Sequence, residues 1–205
     1  MIMRTPGKGG LTFGSNKAEN EKKLRELILY VVEKCCDDSR FGATKLNKIL
    51  FWSDFFAYAN TGEPITGVEY MRLPNGPVPK RLVPVRNKMI EAGELDVAQR
   101  SLFNGRRQTK FLARRKADVS LFTPEQIDLV NEVIDYLRDQ TASEVSDGSH
   151  TRAWHMASDG ELIPYQSVFI SDRGLIRSDI ESAKKLAARF GWAERFAPHA
   201  EAALA

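Results

Sequence analysis

The sequence is poor in cysteine and histidine, the side chains that most redox and metal chemistry requires. Its 205 residues include 2 cysteines and 3 histidines. Cys35 and Cys36 are adjacent, and neighbouring residues on a helix point in different directions, so they do not readily form a disulfide. His150 and His155 are five residues apart, which places them on different helix faces, and His199 is remote. We therefore predict no metal, no cofactor and a reducing, cytoplasmic environment.

Long apolar runs are also missing. No stretch approaches the roughly 18 residues needed to cross a bilayer, and residues 1–16 lack the apolar core of a secretion signal. The content of 42% hydrophobic and 28% charged residues is ordinary for a globular protein. We therefore predict a soluble protein without membrane association. Residues 1–16 would form a flexible tail, 17–195 a single domain and 196–205 a C-terminal tail.

The sequence has little excess of either charge sign, since the net charge is only +3. Such a balance implies no general attraction to nucleic acid, which we do not expect as the main partner. One stretch differs, because it holds seven basic residues and no acidic one: Arg100, Arg106, Arg107, Lys110, Arg114, Arg115 and Lys116. This pattern is typical of a solvated strand face. The alternative is a patch that faces an acidic protein or nucleic acid.

Periodicity and turn residues predict a mainly helical α+β domain, a compact set of helices with a small β-hairpin or sheet element. Asn16 and Glu19 have the spacing of a capping box before a first helix. A second helix begins at Thr44 and has two apolar faces, which is typical of a central helix. A short strand is predicted over Val68–Leu73, and the prolines of Pro74–Pro79 predict a rigid, irregular loop.

The later elements are predicted with the same rules. In order, they are a helix over Pro79–Ala92, a β-hairpin over Glu94–Arg114 with a turn at Asn104–Gly105, a helix capped by Thr123, a helical piece over Ala142–Trp154, and a helix from Ser178 to Gly191.

No set of residues has the types and spacing that a hydrolase or transferase needs. The segment Gly7–Gly10 lacks the spacing of a phosphate-binding loop. We therefore predict that the protein is not an enzyme and acts by binding another protein.

Aromatic and arginine residues are common anchors of protein interfaces. The predicted partner-binding residues lie on the second helix, the following strand and loop, and the helical piece after residue 142: Asp54, Tyr58, Tyr70, Arg72, Asn75, His150 and Trp154.

Several of these residues have a second interpretation. The tyrosines can belong to the core. Asp54 is either solvent-facing or capped, or it pairs with a cation such as Arg72. His150 either packs on Trp154 with its imidazole bonded to a backbone group, or lines the partner surface.

Three segments carry a resemblance to a known family: Thr44–Asp54 (TKLNKILFWSD), Gly62–Tyr70 (GEPITGVEY) and Pro74–Pro79 (PNGPVP). Their order and spacing resemble the Panacea domain, a family that includes SocA-like antitoxins and phage-associated proteins. Ser149-His150 with Trp154, and Ile163–Tyr165, are similar to the C-terminal part of that domain. The resemblance covers roughly residues 24–190.

The resemblance implies an antitoxin of a toxin–antitoxin system that neutralises a cognate protein toxin by direct binding. Two alternatives are a proteolytic adaptor that delivers the toxin to a cellular protease, and a nucleic-acid-binding regulator. Many relatives carry an N-terminal helix-turn-helix, which the first sixteen residues of this sequence cannot hold. The resemblance transfers no catalytic residue.

Overall fold

Helices and two small antiparallel sheets make up the part of the chain that the computed structural model describes, residues 11–101, 105 and 107–170. The helices are α1 (Ala18–Lys34), α2 (Ala43–Thr61), α3 (Leu82–Glu91), α4 (Pro124–Arg138), α5 (Ala142–Gly148) and α6 (Arg152–Met156). The strands are β1 (Tyr70–Leu73), β2 (Gly76–Pro79), β3 (Leu95–Ser101), β4 (Arg107–Ala113) and β5 (Leu162–Ile163). The predicted mainly helical α+β class is confirmed.

Helix α2 lies at the centre of these elements because apolar side chains cover most of its circumference. Leu46 and Leu50 are buried, and so are Phe51 and Phe55 on another face. The helix packs against α1, α4, α5 and β2. It begins at Ala43, one residue before the predicted Thr44, and its last turn is closed by Gly62 at φ +81°. The prediction of a central helix is confirmed.

The start of α1 differs from the prediction. Lys17 occupies the N-cap position and no side chain caps the helix. Asn16 instead donates a hydrogen bond to the Glu69 carboxylate, 2.7 Å away. The reason is that the preceding chain runs along the domain, where the Ser15 N–H donates to the Gly67 carbonyl. Residues 12–16, which the sequence assigns to the tail, thus contact the domain, whereas residues 1–10 lie outside the described residues.

The segment Pro74–Pro79 is not an irregular loop. Gly76–Pro79 forms β2, which pairs antiparallel with β1 from Tyr70↔Pro79 to Leu73↔Gly76, across a turn at residues 74–75. The sheet order is β2-β1-β5. Proline has no N–H to donate to a neighbouring strand. It is tolerated in β2 because β2 lies at the edge of the sheet.

The second sheet is the predicted β-hairpin. Strands β3 and β4 pair in register from Leu95↔Ala113 to Ser101↔Arg107. Thr123 forms both hydrogen bonds of the predicted capping box before α4. The helical piece after residue 142 is divided into α5 and α6, and the predicted helix over 178–191 lies outside the described residues.

A buried polar cluster joins α2 to β1. Asp54 is fully buried, and its carboxylate accepts hydrogen bonds from the Thr66 N–H at 2.6 Å, the Thr66 hydroxyl and the Tyr70 hydroxyl at 2.9 Å. Burial raises the pKa of the Asp54 carboxyl, and these hydrogen bonds oppose that rise. Of the predicted alternatives, Asp54 is therefore the capped one, because these donors satisfy its carboxylate, and it neither faces solvent nor pairs with Arg72.

We expect Asp54→Ala to lower the free energy of unfolding by about 3 kcal/mol or more, because it leaves several buried donors without an acceptor. Urea unfolding followed by circular dichroism measures this change. Asp128→Ala, at an exposed position of α4, is the control and should change stability by less than about 0.5 kcal/mol. Equal stability of the two variants would show that the cluster does not hold the fold.

Candidate protein-binding site

The structure divides the predicted partner-binding residues among three places. Asp54 and Tyr70 lie in the core, where neither is accessible to a partner. Tyr58 is half-buried near the end of α2, where its ring stacks on Tyr165 with centroids 5.4 Å apart. The others gather where the β1–β2 turn meets α5 and α6: Arg72, Asn75, His150 and Trp154.

Trp154 is the centre of this last group. Its indole N–H donates to the Leu73 carbonyl at 3.0 Å. The Arg72 guanidinium lies over the indole, 4.2 Å from the ring centroid, and also forms an ion pair with Asp159. The His150 ring stacks on the indole at 3.9 Å with an interplanar angle of 15°. These side chains therefore hold α6 against the sheet, and Arg72 is already paired within the fold.

The prediction that His150 packs on Trp154 is confirmed, but the expected backbone hydrogen bond is absent at Nε2. That atom is buried and has no hydrogen-bond partner among the described residues. Burial lowers the pKa of His150, and the Lys48 charge adds to this effect. Asn75 is exposed in the β1–β2 turn, and its main-chain carbonyl accepts a hydrogen bond from the Ser146 hydroxyl of α5 at 3.0 Å.

Lys48, which the sequence analysis did not single out, lies beneath this group. Its side chain is 1% exposed, and its ammonium donates to the Pro77 carbonyl at 3.1 Å. Gly76 has φ +95°, which favours glycine, and a Cβ there would lie 2.4 Å from both Lys48 Nζ and Ser149 Oγ. Burial lowers the pKa of Lys48 to about 7. The sequence signal that could have indicated Lys48 is a lysine on a helix with apolar residues on most of its circumference.

A groove of about 470 Å³ adjoins this region between α2, α4 and α5. The walls of this apolar groove carry large side chains from α2 and α4, among them Trp52, Phe56 and Tyr136. The rings of Trp52 and Phe56 stack at 4.9 Å, and Tyr136 is 76% exposed. Gly148 lines the groove, and the chain continues from it directly to Ser149 and His150.

One edge of the apolar groove is acidic. Glu132 lines it, and Asp128 and Asp135 lie one turn away on either side along the same stripe of α4. All three are exposed, and Asp135 lies 3.8 Å from the Arg138 guanidinium. None of the lining residues that the structure describes is basic. The groove thus combines aromatic walls with a negative border.

The described residues therefore define a class: a mainly helical α+β domain with an acidic-edged apolar groove. Residues 46–155 match the family described as antitoxin SocA-like, Panacea domain. The match spans more than half of the chain, from α2 to α6, and the chain belongs to this family. The predicted resemblance is confirmed, and it indicates a toxin–antitoxin-related role.

No curated protein and no solved structure matches the chain. Among the residues that the structure describes, none of the helices is both long and apolar enough to cross a membrane.

The burial of Lys48 predicts how the stability of the protein depends on pH. The pKa of Lys48 is about 7 in the folded protein and roughly 10.4 in an unfolded chain. Between these values the unfolded chain binds the proton and the folded protein does not, so the free energy of unfolding rises with pH. We expect Lys48→Met to be more stable than wild type near pH 7. In wild type the free energy of unfolding should rise by at most about 1.4 kcal/mol per pH unit, and in Lys48→Met this rise should be absent.

Urea unfolding at several values between pH 7 and pH 10 tests this expectation. Lys22→Met, at an exposed position of α1, is the matched control and should keep the rise. A Lys48→Met variant with the wild-type pH dependence would show that the amine is not the group responsible.

Proposed function

We propose that this protein is an antitoxin that neutralises a cognate protein toxin by direct binding, and that the apolar groove is its toxin-binding site. Family membership supports a toxin-related role. The observation that favours the groove is the set of aromatic side chains exposed there, of which Tyr136 is the most accessible. Contiguous exposed apolar surface of this kind marks interaction sites in soluble proteins.

The groove is built on the buried core of the domain. Its floor includes Val133, Leu137 and Val145, which are buried parts of the core. Trp52 and Phe56 project from α2, which packs against α1, α4, α5, β2 and β4. A preformed site loses little conformational entropy on binding, and its aromatic walls supply large contact area.

The partner segment that fits is an amphipathic helix. Three helices line the groove, an arrangement that accepts an apolar helix face. The acidic edge formed by Asp128, Glu132 and Asp135 selects a helix with lysine or arginine beside its apolar face. Charge complementarity of this kind adds specificity and speeds association.

We also propose that the protein acts without catalysis. Lys48 and Ser149 are the pair of described residues that most resembles a nucleophile with its base, because a lysine of lowered pKa lies near a hydroxyl. Both are buried, at 1% and 0% exposure, and the Ser149 hydroxyl donates to the Ser146 carbonyl at 2.6 Å. A substrate cannot reach this pair, so its contribution is to packing.

The groove assignment predicts that Tyr136→Lys and Glu132→Lys each weaken toxin binding by roughly tenfold or more, while the fold survives. The binding partner for the test is the product of the neighbouring open reading frame, if it kills cells when expressed alone. Binding is measured by calorimetry, rescue by growth, and folding by thermal unfolding.

Met156→Lys is the control, since Met156 is 73% exposed, nearly as much as Tyr136, but lies outside the groove on α6. It should bind and rescue like wild type. Loss of binding in the Met156 variant alone would move the interface to the Trp154 group. A protease-dependent fall in toxin level, with no measurable inhibition by the purified protein, would favour an adaptor instead.

The non-catalytic assignment predicts that Ser149→Ala neutralises the toxin as well as wild type does. Lys48→Met should also retain neutralisation. Turnover of a substrate that survives repurification and disappears in Ser149→Ala would contradict this proposal.

A further inference from the structure

A second groove, of about 760 Å³, lies between the start of α2, the β3–β4 hairpin and the start of α5. Among the residues that the structure describes, the charged ones that line it are all basic: Arg40, Lys45, Arg100 and Arg107. The other described lining residues are small or polar and include several hydroxyls, and none of them is aromatic. This cationic groove therefore differs in both charge and polarity from the apolar groove.

Five described residues of the basic stretch are either paired within the fold or face the groove. Arg114 forms an ion pair with Asp96, and Arg115 pairs with Glu26 and Glu94. Lys110 donates to two backbone carbonyls of the loop before α2. Arg100 and Arg107, near the far end of the hairpin, instead line the groove.

Arg40 approaches from the other side. It is exposed in the loop before α2, and one of its guanidinium nitrogens is held by the Asp139 carbonyl. Lys45 also lines the groove, but its ammonium is buried and paired with Asp38 at 2.8 Å. Among the described lining residues, the guanidinium groups of Arg40, Arg100 and Arg107 therefore supply the accessible positive charge.

The walls are fixed by contacts that do not involve these guanidinium groups. The Gln108 side-chain amide donates to the Ser39 and Phe41 carbonyls at 3.1 and 3.2 Å, which ties the hairpin to the loop before α2. A Cβ at Gly42 would lie 2.9 Å from the Thr109 carbonyl, so glycine permits this close approach. The hairpin and the loop before α2 are thus held together around the groove by contacts outside the arginine side chains.

The start of α2 adds to the positive field. Gly42, Ala43 and Thr44 line the groove, no side chain caps the helix, and its first turn has no acidic residue. The free N–H groups and the dipole of this 19-residue helix favour an anion there.

We propose that the cationic groove binds the phosphate groups of a nucleotide or of a short nucleic-acid strand. Arginines from opposite walls and donors near the helix start match the tetrahedral set of phosphate oxygens better than a planar carboxylate. Because none of the lining residues that the structure describes is aromatic, those residues offer bases no stacking. Recognition is therefore of phosphate and not of sequence. This inference does not depend on the groove assigned to the toxin.

The test uses the full chain and titrates it with ATP, with inorganic phosphate, with a short single-stranded RNA of mixed sequence, and with a glutamate-rich peptide. We expect ATP or the RNA to bind more tightly than the peptide, with an affinity that falls as salt is raised. Phosphate and ATP distinguish a small-molecule site from one that requires a strand.

Arg100→Gln with Arg107→Gln should weaken binding by roughly tenfold or more, and Arg40→Gln should weaken it as well. Arg114→Gln is the matched control, because Arg114 belongs to the same basic stretch but is paired with Asp96. All variants should keep the wild-type melting temperature and still neutralise the toxin. Unchanged affinity in the double variant, equal loss in the control, or tighter binding of the glutamate-rich peptide would each overturn the proposal.

Discussion

The carboxylate of Asp54 is the point at which the helices and the first sheet are joined. Burying a carboxylate is costly unless donors replace its water. Here the donors come from Thr66 and Tyr70, on the chain that leads from α2 into β1. The same stretch positions Gly67, whose carbonyl accepts hydrogen bonds from Asn20 at 2.6 Å and Ser15 at 2.8 Å. One buried group thus fixes β1 on α2 and, through Gly67, brings the start of α1 to the same place.

The two buried lysines of α2 differ in the groups that stabilise their ammonium charges. Lys45 is 1% exposed and is paired with Asp38, so its charge has a partner. Lys48 is equally buried but donates to a backbone carbonyl of β2. The pKa of Lys48 is lowered to about 7 by burial, which reduces the cost of having no carboxylate beside it. The edge strand therefore packs against an amine that is only weakly basic.

The parts of the fold that the sequence predicted are those governed by local rules. The Thr123 capping box, the two strands of the hairpin and the two apolar faces of α2 follow from propensity and periodicity. Residues 74–79 were misjudged because a proline looks like a strand breaker unless the strand is known to be at an edge. That knowledge requires the sheet order, which is a tertiary property.

The candidate site was predicted less well for a related reason. Asp54 and Tyr70 were chosen as polar or aromatic residues beside apolar ones, but only the three-dimensional contact between them shows that they satisfy each other in the core. Trp52 and Phe56 are four residues apart on α2, a spacing that predicts a shared face but not whether another helix covers it. The apolar groove exists because α4 and α5 leave that face partly open, and no local pattern encodes such a gap.

The two grooves lie along a single helix, the cationic one at the start of α2 and the apolar one along its second half. Their charges are opposite, since arginines line the first and an acidic stripe borders the second. A basic helix is attracted to the acidic stripe and repelled by the arginines, while a phosphate ligand has the reverse preference. Each groove thus disfavours the ligand proposed for the other, and that discrimination arises from charge placement without any change in the conformation of α2.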